Sequence, residues 1–160
     1  MKKAFLSLSV VAAMFVMASC GGNKNKELIV KKWQWSEIKS EKMDEDIAKI
    51  KAAADTTQDS SMKAMAEGQL KMIEAMMAEM KQSTMEYKAD GSYLTAMTMM
   101  GQTKEEKGTY KVSDDGKMLI TTDEKQKSDT LAIDEISDSK IILSGNSGGK
   151  KMWLTMTPAK

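Results

Sequence analysis

The chain has 160 residues, with 24 Lys and no Arg, 23 acidic residues, one Cys and not one His. Without His there is no Ser-His-Asp triad, Cys-His dyad or ordinary zinc site, and without Arg no bidentate fork for phosphate or carboxylate. A formal net charge of +1 with no basic stripe argues against nucleic acid as a partner.

Lys2 and Lys3 precede the apolar run Ala4 to Ala18, broken only by Ser7 and Ser9. At about fifteen residues the run is shorter than the ~20 a spanning helix needs, and it fits a secretory signal peptide over residues 1–19. It ends in Val16-Met17-Ala18-Ser19-Cys20-Gly21-Gly22, with small residues directly before the only Cys. This segment resembles the lipobox of bacterial lipoproteins, with Met17 where Leu is usual. The resemblance implies cleavage before Cys20, lipidation of its thiol, and anchoring by acyl chains that contribute ~0.8 kcal/mol per buried methylene. A lone Cys in an exported chain has no internal disulfide partner, and lipidation accounts for it. Gly21 in place of Asp resembles lipoproteins sorted to the outer membrane, and the lack of an acidic cluster beside it points to the periplasmic face. Residues 21–26 carry no apolar side chain, so 20–26 read as a flexible tether.

Residues 27–158 have the length of one domain. Glu27 to Lys39 reads as a first strand, with Trp33 and Trp35 on a shared face. From Ser40 to Gln82 there is no aromatic and no Pro, and Ala, Glu, Lys and Met dominate, predicting a helical insert over 41–82. Met43, Ile47, Ile50 and Ala54 follow one helical period. The turn Asp55 to Ser60 breaks it, with Asp59 or Ser60 as the next N-cap. Met62, Met65, Met72, Ile73, Met76, Met77 and Met80 then form a second apolar stripe, whose burial requires the helix pair to cover a barrel end or flank.

Beyond Ser83 the period becomes two. Strands are predicted at Thr84–Lys88, Ser92–Met99, Thr103–Val112, Lys117–Thr121, Lys127–Ile136, Lys140–Leu143 and Lys150–Thr157. Ala89-Asp90-Gly91 and Asp114-Asp115-Gly116 carry hairpin-turn chemistry, and every link is too short for a crossover helix. Eight antiparallel up-and-down strands close into a barrel without exposed edges. Alternation puts Tyr93, Met97 and Met99 on one side, and likewise Tyr110 with Val112, Met118 with Ile120, Leu131 with Ile133, and Met152 with Leu154 and Met156.

Taken with the Trp-bearing first strand and the helical stretch, Met85-Glu86-Tyr87-Lys88-Ala89-Asp90-Gly91-Ser92-Tyr93 and Gly108-Thr109-Tyr110-Lys111-Val112 resemble the hairpins of lipocalin-like domains in Gram-negative envelope lipoproteins. The similarity covers roughly Leu28 to Thr157 apart from the insert, and Lys31 stands where that family places Gly. It implies a lipocalin-like barrel, mainly β, able to admit a small apolar ligand.

The expected ligand-lining residues are Trp33, Trp35, Tyr93, Met97, Tyr110 and Met118, with Trp153 equally able to anchor or stack. Met62 and Met65 offer thioethers suited to Cu(I), but a Met stripe at helical spacing more often packs, and no metal or other cofactor is assigned. Met-rich surfaces also adapt to varied partners, which leaves docking on another envelope protein as the alternative to a ligand carrier. No carboxylate stands within an apolar strand where burial would raise its pKa, so no enzyme activity is expected. Asp55-Thr56-Thr57 and Asp129-Thr130-Leu131 resemble a bacterial O-glycosylation pattern.

Overall fold

The computed structural model describes residues 24–160, so the signal peptide, Cys20 and the tether before Lys24 lie outside the described residues. Lys24–Leu28 forms one helical turn, α1, and the first strand, β1, spans Lys32–Ser40 rather than starting at Glu27. The cause is a floor built under the barrel. Ile29 is fully buried, and its carbonyl accepts the Trp33 indole N–H at 2.9 Å. Asn25 Nδ2 donates to the Gly116 carbonyl at 3.0 Å, and Lys26 pairs with Asp114 at 3.0 Å. These ties hold the turn across the barrel end. Lys31, two residues before Trp33, has its ammonium 5.1 Å from the Trp33 ring centroid and pairs with Asp138.

Seven further strands follow: β2 Thr84–Tyr87, β3 Ser92–Met99, β4 Gln102–Val112, β5 Met118–Asp123, β6 Ser128–Ile136, β7 Ile141–Ser147 and β8 Lys150–Pro158. They pair in sequence order, and β8 returns to β1, closing an eight-stranded antiparallel up-and-down barrel. Residues opposite one another in an antiparallel pair share a face. The rows Trp33–Met85–Thr95–Glu106 and Tyr87–Tyr93–Gly108–Asp123 therefore lie on the inner wall. Register shifts at Ser36 and Asp134 add one residue each, which returns Ile38 and Ile136 to the inside.

The core fills the floor half of this barrel. Trp33, Tyr87, Leu119, Ile141, Leu143 and Met156 are all essentially inaccessible. Tyr87 meets Tyr110 edge-on at 4.8 Å between centroids and Tyr93 at 6.4 Å. Gly108 is required by close approach, since a Cβ there would stand 2.1 Å from the Thr122 carbonyl oxygen and 2.7 Å from Tyr93 Cε1. One expected row is inverted. Val112 pairs with Leu119, so Leu119 and Thr121 face in, while Met118 and Ile120 face out opposite Ala132 and Thr130.

The insert forms α2, Glu41–Thr56, and α3, Ser60–Met80. Asp59 caps α3, accepting from the backbone N–H groups of Ser61 at 2.8 Å and Met62 at 3.4 Å. Ala54 and Ala66 are the buried residues of the two helices, small enough to bring them close. The pair meets the barrel through its base alone: Glu41 accepts from the Lys151 N–H at 2.9 Å, Glu45 pairs with Lys150, Glu79 accepts from the Gly101 N–H at 3.2 Å, and Met80 packs on the core. Because β2 has only four residues, β1 beyond Gln34 pairs with β8 but not β2, leaving a notch beside β3. The base fills that notch. Ser83 is fully buried there, its carbonyl accepting from the Trp35 N–H and its hydroxyl from the Thr98 N–H.

The expectation that the barrel buries the Met stripe fails toward the tip, where Met62, Met65 and Met72 are 57, 66 and 66% exposed. At 1.5 Å per residue α3 is about 31 Å long, and its contacts with the barrel come from its last turn.

Candidate functional site

The two ends of the barrel differ in chemistry. The end bearing α1 is closed by Ile29 and Trp33, and Tyr110 seals its flank by donating to the Lys88 carbonyl at 2.8 Å. At the other end the inner wall of β4 to β6 remains open to water. Lys104 and Glu106 face inward by register yet are exposed, and inward-facing Thr121 and Leu131 are only half-buried.

Of the six residues expected to line a ligand, the structure brings three to this open half. Trp35 on β1, Ser83, and Met97 on β3 succeed one another around the wall, and Tyr93 lies two rows below. Trp33 and Tyr110 are committed to the floor. Met118 faces outward, because pairing with β4 and β6 puts its neighbour Leu119 inside. Trp153, weighed as a further lining residue, also lies outside, opposite Ser144, with Lys151 Nζ 4.9 Å from its ring centroid.

Trp35 is 8% exposed, and its indole N–H finds no acceptor among the described residues. A buried donor left unpaired costs about 1–3 kcal/mol, so this atom marks a place where a carbonyl, hydroxyl or water oxygen would be favoured. On the same inner wall, the Tyr93 hydroxyl donates to Glu106 at 3.3 Å. Burial pushes Tyr93 up to about 12, and the negative charges of Glu106, Asp123 and Asp129 add to the rise. Burial likewise raises Tyr87, which lies wholly in the core. Both phenols therefore stay neutral at physiological pH and act as hydrogen-bond groups, not nucleophiles.

The copper-ligand candidates Met62 and Met65 lie at the hairpin tip. They line a groove of about 270 Å³ with Ile50, Ala53 and Ala66, which supply no further thioether. Among the described residues no group of three or more His, Cys, Asp or Glu could hold a metal ion. Thr56 and Thr57 are at the same tip, where Thr56 Oγ1 donates to the Ala52 carbonyl and Thr57 Oγ1 accepts from the Asp59 N–H. Among the described residues no helix is long and apolar enough to cross a membrane.

Sequence reading missed Leu119, Tyr87 and Glu106. Tyr87 was legible, since a tight turn at Asp90-Gly91 sets it against Tyr93. Glu106 was not, because the run Lys104-Glu105-Glu106-Lys107 has no apolar beat to show which face turns inward.

Strand number, strand order and closure make this a lipocalin-like barrel with a helix pair between the first two strands. No family model matches the chain, and no curated protein matches it. Among solved structures it is similar to a lipocalin-like protein from Bacteroides uniformis ATCC 8492, at 12% identity and a TM-score of 0.47 over 82% of this chain and 99% of that one. It is also similar to a duf4847 family protein from Bacteroides vulgatus ATCC 8482, at 14% identity and a TM-score of 0.46 over 86% and 98%.

Proposed function

We propose that this chain is a non-enzymatic binding module of the cell envelope, lipid-anchored through Cys20 to the periplasmic face of the outer membrane, whose barrel takes a small apolar ligand at its open half. The observation that supports this most is the indole N–H of Trp35, which finds no acceptor among the described residues and stands on an inner wall that also carries Met97 and Tyr93. Such a wall suits a slender apolar molecule carrying one oxygen acceptor, which would satisfy the orphan donor while its hydrocarbon displaces water.

Native mass spectrometry of the protein extracted from membranes in mild detergent tests the ligand. A co-purifying mass that Trp35→Phe diminishes is the expected result. A bare protein mass, with no quenching of tryptophan fluorescence by added fatty acids or sterols, would overturn it. Metabolic labelling with a fatty-acid analogue tests the anchor, and label retained by Cys20→Ser would defeat that part.

A second reading treats the helical hairpin as a docking element. Three exposed Met on one helix favour it, since thioether side chains adapt to a partner's surface.

A further inference from the structure

We infer that the Met-lined groove of the helical hairpin is the surface on which two copies of this chain meet; this rests on the docking reading above and names its partner. The groove consists of two separate hollows along the hairpin. Near the base it is lined by Met43, Ile73 and Met76, with a volume of about 290 Å³, and toward the tip by Ile50, Met62 and Met65. Ser40, Lys42, Asp46, Lys49 and Gln69 are the polar lining.

The position of the chain's start selects the occupant. The described chain begins with α1 at the closed end, and the hairpin leaves the opposite end, between β1 and β2. Cys20 precedes Lys24 by four residues, a reach of at most about 14 Å. With the barrel standing upright on this tether, a bilayer holding Cys20 is separated from the groove by the barrel itself. Copies standing upright in one leaflet share one orientation, with their hairpins at the same height. A twofold axis along the hairpins then sets each α2 beside the α3 of the second copy, running the opposite way. That is the neighbour relation of an antiparallel four-helix bundle, in which helix dipoles oppose.

The size of the face agrees with this setting. Taking α2 as about 24 Å long and two packed helices as about 20 Å wide, each copy contributes roughly 500 Å². The total of roughly 1,000 Å² is at the lower limit for a specific interface. Association is accordingly weak in free solution and strengthened when anchoring confines the copies to one surface.

The experiment uses the whole lipidated chain in phosphatidylethanolamine–phosphatidylglycerol vesicles, with Gln58→Cys in the exposed link at the hairpin tip as the cross-linking handle. Copy-to-copy cross-links at the tip are expected. Met65→Glu or Met72→Glu should cut the cross-linked yield about tenfold or more, because each buries an unpaired charge in the contact. Both positions are exposed in the single copy, so circular dichroism should show the fold unchanged. Sedimentation of the detergent-free soluble form (Cys20→Ser, without residues 1–19) at high concentration should show a dimer that Met65→Glu abolishes. A monomer in both settings would overturn the inference, as would cross-links insensitive to both Met substitutions. Vesicle flotation reads the anchor independently: a chain that fails to float defeats the anchor, and sedimentation still decides the dimer.

Discussion

Leu119 and Met118 are adjacent apolar residues with opposite fates. Leu119 is fully buried opposite Val112, whereas Met118 faces outward and is half-buried. Leu119→Ala should therefore cost about 2–5 kcal/mol of unfolding free energy, and Met118→Ala less than about 1 kcal/mol. Urea titrations of the two variants decide it; equal losses would mean that β5 is one residue out of register. Gly108 is a sterically determined position. Gly108→Ala places a methyl against the Thr122 carbonyl and the Tyr93 ring, so β4 and β5 must separate, and thermal unfolding should show a loss of about 1–3 kcal/mol. An unchanged melting temperature would show that the wall yields at no cost.

The hairpin behaves as a separate element grafted into the notch beside β2. Its N-cap at Asp59 is hydrogen-bonded to the Ser61 hydroxyl and to the N–H groups of Ser61 and Met62, which holds the carboxyl below its ordinary value. The capping stability is present above the ordinary carboxylate pKa and lost as pH falls through the lowered one. Asp59→Ala should reduce the helical circular-dichroism signal at neutral pH and remove its acid dependence, leaving the strand signal intact. Since the hairpin touches the barrel only near its base, replacing residues 41–82 with about ten Gly and Ser residues should leave the barrel folded. Loss of cooperative unfolding in that deletion would show that the helices are part of the core.

Across the described residues, stability rests on one core cluster that holds Tyr87 and Tyr93, with Tyr110 packed against it. Tyr87, Tyr93 and Tyr110 all have raised pKa values, chiefly through burial. A raised phenol favours folding while it remains protonated. Its contribution is whole below the unfolded value near 10 and is lost as pH rises through the folded one, about 12 for Tyr93. The urea midpoint should be flat from neutral pH to about pH 10 and fall steeply above it, and Tyr93→Phe should make that fall shallower. A midpoint that declines equally in wild type and variant would place the alkaline sensitivity outside Tyr93.

Local chemistry in the chain determined the order of elements: Ala, Glu, Lys and Met without aromatics set the helices, and Asp90-Gly91 with Asp115-Gly116 set tight turns. The period of two with short links was enough to give strand number, antiparallel pairing and closure. Trp33, Trp35, Tyr93 and Leu154 faced inward as their alternation indicated. Tertiary structure alone decided the face of β5, because Met118-Leu119-Ile120 is apolar on both sides and only pairing with Val112 breaks the tie. It also decided that Lys24 to Ile29 folds beneath the barrel, since the acceptor for the Trp33 indole comes from a residue outside any strand. The exposure of Met62, Met65 and Met72 follows the same logic. Helical periodicity shows that a stripe exists, but how far a helix extends past the surface it rests on is set by the length of its neighbours.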